Sequence, residues 1–154
     1  FIFIYFMNKT TFLFLSFGCI GITTEIIFTS FFNAIVKYTE SSQLDLRLLG
    51  HSYFWMFFIY GLVAFLFPPV YSKIEKYFVL IRLLIYAIGI FIIEFVSGFI
   101  LDITTGSCPW HYTSKFAICG YIRLDYLFFW MIFGFLVERI YLYLNKLYLS
   151  AYKN

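Results

Sequence analysis

Charged residues are scarce in this sequence: Asp, Glu, Lys and Arg together make up 12% of the 154 residues. The 11 basic residues are scattered and form no dense run, so the sequence gives no support for nucleic-acid binding. The three cysteines have neither CxxC nor zinc-ligand spacing, and no phosphate loop, HExxH or nucleophile elbow is present. We therefore expect no metal and no cofactor, and catalysis has no positive signature.

The chain is rich in apolar residues instead. Hydrophobic residues make up 63% of the chain, and the mean hydropathy is +0.89. A soluble domain is nearer half apolar and a quarter charged, and one this small keeps much of its surface in water. Aromatic residues reach 26%, and we expect most of them to face lipid or to pack helices. This composition predicts an integral membrane protein with the lipid bilayer as its solvent.

Four apolar stretches have the length of a membrane-spanning helix, which needs about 20 mostly apolar residues. The predicted spans are residues 10–36, 48–72, 79–101 and 122–144. They predict an all-α fold, an integral membrane four-helix bundle that forms a single transmembrane domain over residues 1–154. Pro68 and Pro69 fall near the end of the second span, where missing N–H groups cost least or the helix kinks. Residues 1–6 lack the basic residue and cleavage signature of a signal peptide, so none is expected there.

Lys and Arg are distributed unevenly between the two sides that these spans define, and cytoplasmic loops usually carry the excess. One side holds seven of them: Lys9, Lys73, Lys76, Arg82, Arg139, Lys146 and Lys153. The other side holds four: Lys37, Arg47, Lys115 and Arg123. This bias predicts that both termini lie on the cytoplasmic side, or on the matrix side of an organellar membrane.

A short internal similarity links the two halves of the sequence. Glu25 and Glu94 begin related runs, and each half continues to a Trp-Met pair, at Trp55 and at Trp130. This pattern suggests two helical hairpins of the same orientation, related by an axis along the membrane normal. Chance similarity within an aromatic-rich chain is the alternative.

Glutamates within the first and third spans are the main functional candidates, because an ionisable residue inside a membrane is costly. Each lies about 22 Å from the inner surface at 1.5 Å per residue. The predicted polar site comprises Glu25, Thr29, Tyr60, Glu94 and Ser97. Two carboxyls that meet there could bind a cation, shuttle a proton or share one. The alternative is that each carboxyl is protonated or bonded to Tyr, Ser or Thr, and only fixes helix packing.

Further polar residues are predicted at the outer rim of the bundle: Arg47, His51, Trp110, His111, Tyr112, Arg123 and Asp125. An arginine there could pair with a carboxylate or hold an anionic headgroup, or the whole set could be an interfacial belt that anchors the helices. Glu138 and Arg139 are expected to end the fourth span. Cys108 and Cys119 could pair in an oxidising compartment, and free thiols are equally compatible with the sequence.

Several of these residues carry a family resemblance. The runs that carry it are residues 21–29, 50–52, 58–61, 94–101 and 108–113, followed by Gly120, residues 124–126 and Trp130. They make the chain similar to the transmembrane protein 229 family and its bacterial relatives, which carry the label ABC-transporter type IV. Matching positions include Glu25, Gly61, Glu94, Trp110 and Tyr112. His111 stands where the family usually has Asp, and Arg123 also departs from the pattern.

This resemblance implies a four-helix integral membrane protein and says little about activity. Any ABC ATPase would be another chain, because no Walker motif is present here. The leading hypothesis is a transporter-like or ligand-binding membrane module with a membrane-embedded acidic pair. The alternative is a structural or accessory subunit of a larger membrane complex, including an organellar one. A third is a membrane enzyme that acts on lipid through His51 or His111. Expected partners are the bilayer and other membrane subunits or further copies of the chain.

Overall fold

The computed structural model describes residues 7–41, 47 and 49–151, so the prediction about residues 1–6 lies outside the described residues. Most of what is described is α-helical. Four helical stretches are long and apolar enough to cross a membrane by length and composition: Lys9–Thr39, Phe54–Ile74, Val79–Thr105 and Leu124–Ala151. The mainly helical class is thereby confirmed, and so is the presence of four apolar helical stretches of membrane-spanning length. The bundle and the repeat stay predictions. The chain divides into two compact units, Phe1–Phe67 and Pro68–Asn154.

The first unit begins with the long helix α1, Lys9–Ser41. Asn8 caps its first turn, because Asn8 Oδ1 accepts a hydrogen bond of 2.8 Å from the backbone N–H of Thr11. The helix runs past the predicted end at residue 36. Residues 37–41 are polar but contain neither Gly nor Pro, so they end the apolar stretch without ending the helix.

The second candidate span consists of two helices, α2 (Phe54–Gly61) and α3 (Val63–Ile74). They are separated at Leu62, whose N–H reaches the carbonyls of Phe58 at 3.0 Å and Ile59 at 3.2 Å. The span was predicted to begin at residue 48, but residues 49–53 are not helical. Pro68 and Pro69 lie inside α3.

Close contact between α1 and α2 depends on small residues. A methyl group at position 21 would collide with the ring of Tyr60, and one at position 61 would collide with the ring of Phe14. The aromatic rings therefore lie directly on the opposing backbone, as is common where membrane helices pack.

In the second unit, the helix α4 (Val79–Thr105) ends at Gly106, whose positive φ of 74° and N–H bond to the Asp102 carbonyl form a left-handed cap. A small antiparallel hairpin follows, formed by β1 (Ala117–Ile118) and β2 (Ile122–Arg123). Its turn contains Cys119 and Gly120, both with positive φ.

A single 3-10 turn, Leu124–Tyr126, leads from the hairpin into α5, Leu127–Ala151. The predicted fourth span therefore begins with a strand and a 3-10 turn, and its helix continues beyond residue 144 to Ala151. Gly134 allows Tyr86 of α4 to lie against the backbone of α5, because a side chain at that position would collide with it.

Candidate functional site

In the first unit, the Glu25 carboxylate accepts hydrogen bonds from two hydroxyl groups. Its Oε2 accepts hydrogen bonds from Ser52 Oγ and from Tyr60 Oη, both at 2.9 Å. Ser52 precedes α2 and Tyr60 lies within it, so one carboxyl oxygen joins α1 to two consecutive parts of the chain. The predicted site residue Tyr60 therefore contacts Glu25, and Ser52 is a partner that was not predicted.

The segment before α2 is also fixed to α1 through its main chain. Thr29 Oγ1 accepts a hydrogen bond from the His51 N–H and lies 3.0 Å from the His51 carbonyl oxygen. Asn33 Nδ2 donates to the Leu49 carbonyl at 2.8 Å. Gly50 lies so close to α1 that a side chain would collide with the Ile26 carbonyl. The hydrogen bonds of the Thr29 hydroxyl thus go to backbone groups of its own helix and of His51.

Glu94 has a different environment in the second unit. Its Oε1 accepts a hydrogen bond of 2.7 Å from Tyr112 Oη. Its Oε2 is buried and has no hydrogen-bond partner among the described residues. The indole N–H of Trp130 is close enough to interact with the carboxyl, yet it does not reach hydrogen-bond geometry and also has no partner among those residues. One carboxylate oxygen is therefore left without a donor.

Ser97, the predicted neighbour of Glu94, bonds to its own helix. Its hydroxyl donates to the Ile93 carbonyl at 2.5 Å. This is a common arrangement for Ser and Thr in apolar helices, because the backbone is the nearest acceptor. The Ser97 hydroxyl is therefore used in a bond within its own helix and does not donate to the Glu94 carboxyl.

The segment between α4 and α5 folds back over the end of α4. Trp110 Nε1 donates to the Tyr121 carbonyl at 3.0 Å, and Tyr121 Oη donates to Asp102 Oδ2 at 2.7 Å. The bond to Asp102 raises the pKa of Tyr121 to about 12. Burial, followed by the nearby negative charge of Glu94, raises the pKa of Tyr112. Both phenols therefore keep their protons and act as donors at ordinary pH.

Two other predicted rim residues belong to different units, His111 to this segment and Arg47 to the first unit. His111 is exposed, and its imidazole lies against Gly120. Arg47 is exposed, and its carbonyl accepts a hydrogen bond from the Leu49 N–H in the first unit. Cys108 is half-buried and Cys119 is exposed, and both are free thiols.

Arg123 and Asp125 form an ion pair, with Arg123 Nη2 at 2.8 Å from Asp125 Oδ2. The pairing raises the pKa of the Arg123 guanidinium. The guanidinium carbon also lies 4.4 Å from the centroid of the Tyr126 ring. The rim arginine thus has a carboxylate partner and an aromatic partner in its own unit.

A third glutamate was not predicted as a site. Glu138 is only 2% exposed, and its Oε1 lies 3.0 Å from Arg82 Nη2 while its Oε2 accepts a 2.7 Å bond from Tyr86. Because α5 continues to Ala151, Glu138 does not end the helix as expected. Arg82 and Tyr86 are four residues apart and so lie on one face of a helix, and this spacing was the sequence signal for a shared polar partner.

Glu25 and Glu94 belong to different units, so their predicted meeting stays a prediction. In the described part of the chain, no three His, Cys, Asp or Glu residues are grouped to hold a metal ion. No family model matches the chain, and no solved structure matches it. The resemblance to the transmembrane protein 229 family therefore rests on the sequence runs alone.

Proposed function

We propose that this chain is a multi-pass membrane protein that binds a proton or a small cation at Glu94, as a transporter-like or ligand-binding module. The observation that carries the proposal is the buried Glu94 Oε2, which accepts no hydrogen bond of good geometry from the described residues. A buried charged oxygen without a partner is costly, and more so inside an apolar span. A proton or a cation would remove that cost.

Comparison with the other two glutamates of the spans supports the choice of Glu94. Glu138 has a guanidinium and a hydroxyl, one for each carboxyl oxygen. Glu25 has two hydroxyl donors. Among the described residues, Glu94 accepts one hydrogen bond, from the Tyr112 hydroxyl, and the nearby Trp130 N–H stays outside hydrogen-bond geometry. A site that exchanges a ligand needs such an incomplete set of internal partners, because a satisfied carboxylate gains little from a ligand.

The test uses the purified full chain in lipid nanodiscs and the hydrophobic reagent dicyclohexylcarbodiimide. A protonated carboxyl adds to this reagent and rearranges to a stable N-acylurea, which mass spectrometry assigns to a residue. We expect labelling of Glu94, slowed by NaCl or KCl relative to choline chloride if the site binds metal cations. If the site binds protons alone, the labelling rate falls with rising pH and is the same in all three chloride salts.

Two variants make the result specific. Glu94→Gln must abolish the labelled peptide, and Glu75→Gln, which changes an exposed acidic residue, must leave the labelling of Glu94 unchanged. Glu94 that resists the reagent under every condition, or reacts at one rate under all of them, would refute the proposal.

The alternative is a structural or accessory subunit, and the contacts of Glu25 favour it. Its two hydroxyl bonds join α1 to the segment before α2 and to α2 itself, which is a packing role. Gentle solubilisation followed by sizing of the particle distinguishes the two. A large complex with co-purifying membrane subunits supports the accessory role, and a monomer or homodimer counts against it.

The orientation is part of the proposal. The excess of Lys and Arg supports both termini on the cytoplasmic or matrix side, with Cys108 and Cys119 on the opposite side. The family resemblance supports the same four-helix arrangement.

A further inference from the structure

Tyr112 reaches Glu94 from the segment between the two helices of the second unit, and other residues hold it there. Its backbone N–H donates to the Gly120 carbonyl at 2.9 Å. Its ring meets the ring of Tyr126 edge to face, with centroids 5.7 Å apart and planes at 82°. The Tyr112 hydroxyl that donates to Glu94 is therefore positioned by the hairpin turn and by Tyr126.

Tyr126 is in turn held by Arg123. The guanidinium carbon lies 4.4 Å from the ring centroid of Tyr126, and Nη1 donates to Tyr126 Oη at 3.2 Å. Asp125 fixes the guanidinium from the far side, through Nε–Oδ1 at 2.9 Å and Nη2–Oδ2 at 2.8 Å. A planar guanidinium can make this two-pronged contact and stack on a ring at once, which an ammonium group cannot do.

These contacts form a continuous series from the surface to the buried carboxyl. The Arg123–Asp125 pair is about one-third exposed, at 31% and 32% of the side chains. Tyr126 and Tyr112 follow, and Tyr112 ends the series at Glu94 Oε1. The Tyr112 hydroxyl that donates to Glu94 is thus linked through Tyr126 to the exposed Arg123–Asp125 pair.

We propose that Arg123 is a positioning residue for the Glu94 site. Through Tyr126 it fixes the ring of Tyr112 over the carboxyl, and so sets how readily a proton or cation arrives from the side of this segment. The ligand part of this inference rests on the proposed function of Glu94. The positioning part rests on the contacts alone.

The test compares the access of a water-soluble carbodiimide to Glu94 in the wild-type chain and in Arg123→Gln, both in nanodiscs. Removing an exposed cation–π contact is expected to raise the labelling rate of Glu94 about two- to fivefold. Arg123→Lys keeps the charge beside Asp125 but loses the stacking, so it should also raise the rate. Exposed Glu75 serves as the reference for reagent activity.

Lys115→Gln is the matched control. Lys115 belongs to the same segment and also lies over an aromatic ring, with Nζ 5.0 Å from the centroid of Phe116, but it is not part of the series that ends at Glu94. In Lys115→Gln, the rate of Glu94 labelling should equal that of the wild type. Glu138 reports general loosening, because its buried carboxylate reacts only if the two helices separate.

An unchanged rate in Arg123→Gln overturns the proposal, and so does an equal rise in Lys115→Gln. A rise at both Glu94 and Glu138 means that the fold has loosened, and also overturns it. The two proposals fail separately. If Glu94 reacts without regard to pH or cation, the ligand site is lost, while a selective rise in Arg123→Gln still establishes the positioning role.

Discussion

Arg82 of α4 and Glu138 of α5 form an ion pair with Nη2 3.0 Å from Oε1, and the glutamate side chain is 3% exposed. The Tyr86 hydroxyl donates to the second carboxylate oxygen of Glu138. Arg82 Nη1 donates to the Glu75 carbonyl at 2.8 Å. Charges this well buried are tolerated only when their partners are in place, because desolvation of each ion is expensive.

Glu138→Gln is therefore expected to lower the free energy of unfolding by about 3–5 kcal/mol, since it leaves the Arg82 charge buried without its counter-ion. The measurement is denaturant or thermal unfolding of the purified protein in detergent micelles. The paired change Arg82→Met with Glu138→Leu should recover most of the loss, because it removes both charges together. A double variant as unstable as Glu138→Gln would argue against a charge effect.

Gly21→Leu is expected to separate α1 from α2, because the side chain would occupy the place of the Tyr60 ring. We expect a loss of at least about 1–3 kcal/mol from overpacking, with the bond from Tyr60 to Glu25 lost as well. Unfolding in micelles again measures the effect.

Gly89→Ala is the matched control for that substitution. Gly89 lies inside α4, and a methyl group there meets nothing within 4 Å. Alanine should raise stability by up to about 1 kcal/mol through helix propensity alone. If the two glycine variants behaved alike, the close approach at Gly21 would have no energetic weight.

Tyr112→Phe and Tyr60→Phe remove one hydroxyl each from a glutamate, but the expected results differ. Glu94 loses the one hydroxyl that the described residues supply, so Tyr112→Phe should cost about 1–3 kcal/mol. Glu25 keeps Ser52, so Tyr60→Phe should cost about 0.5–1.5 kcal/mol.

Ser52→Ala combined with Tyr60→Phe extends this comparison, because it removes both hydroxyls from Glu25. Its loss should then approach that of Tyr112→Phe. Equal losses for the two single Tyr→Phe variants would contradict the difference in donor number.

The two cysteines of the segment between α4 and α5 should react at different rates. Burial raises the pKa of the Cys108 thiol, so at pH 8 less of it is the reactive thiolate than in an ordinary thiol. Cys119 is exposed. A membrane-impermeant maleimide should therefore modify Cys119 first, and the rate at Cys108 should still be rising with pH above 8.

Cys119→Ser should remove the fast reaction, and Cys108→Ser should leave it intact. In sealed vesicles of known orientation, the fast reaction should occur from the side opposite the termini. Fast labelling from the side of the termini would reverse the proposed orientation.

Composition and run length were enough to predict four apolar helices, because the scarcity of charge over about 20 residues is a property of the sequence itself. Helix ends were less predictable. α1 continues through the polar residues 37–41, since polarity ends a lipid-compatible stretch but does not break backbone hydrogen bonds. The β-hairpin was missed because strands of two residues, Ala117–Ile118 and Ile122–Arg123, are too short to establish an alternating pattern.

The polar contacts could be predicted by residue type but not by partner. Glu25 and Glu94 stand out because they interrupt apolar runs, yet nothing in the sequence distinguishes two hydroxyl donors from one. Glu138 was assigned to a helix end because Arg139 follows it. Its real counter-ion, Arg82, is distant in sequence, and only the packing of α4 against α5 brings the two together.

Side chains from outside helix α4 bond to it at three positions along its length. Glu138 bonds to Arg82 and Tyr86. Tyr112 bonds to Glu94, and Tyr121 bonds to Asp102. From Arg82 to Asp102 the helix rises about 30 Å, so these positions are far apart. A slide of α4 by one turn, about 5.4 Å, would break all three sets at the same moment. A sliding motion of α4 that keeps these bonds must therefore carry their partners in α5 and in the connecting segment with it.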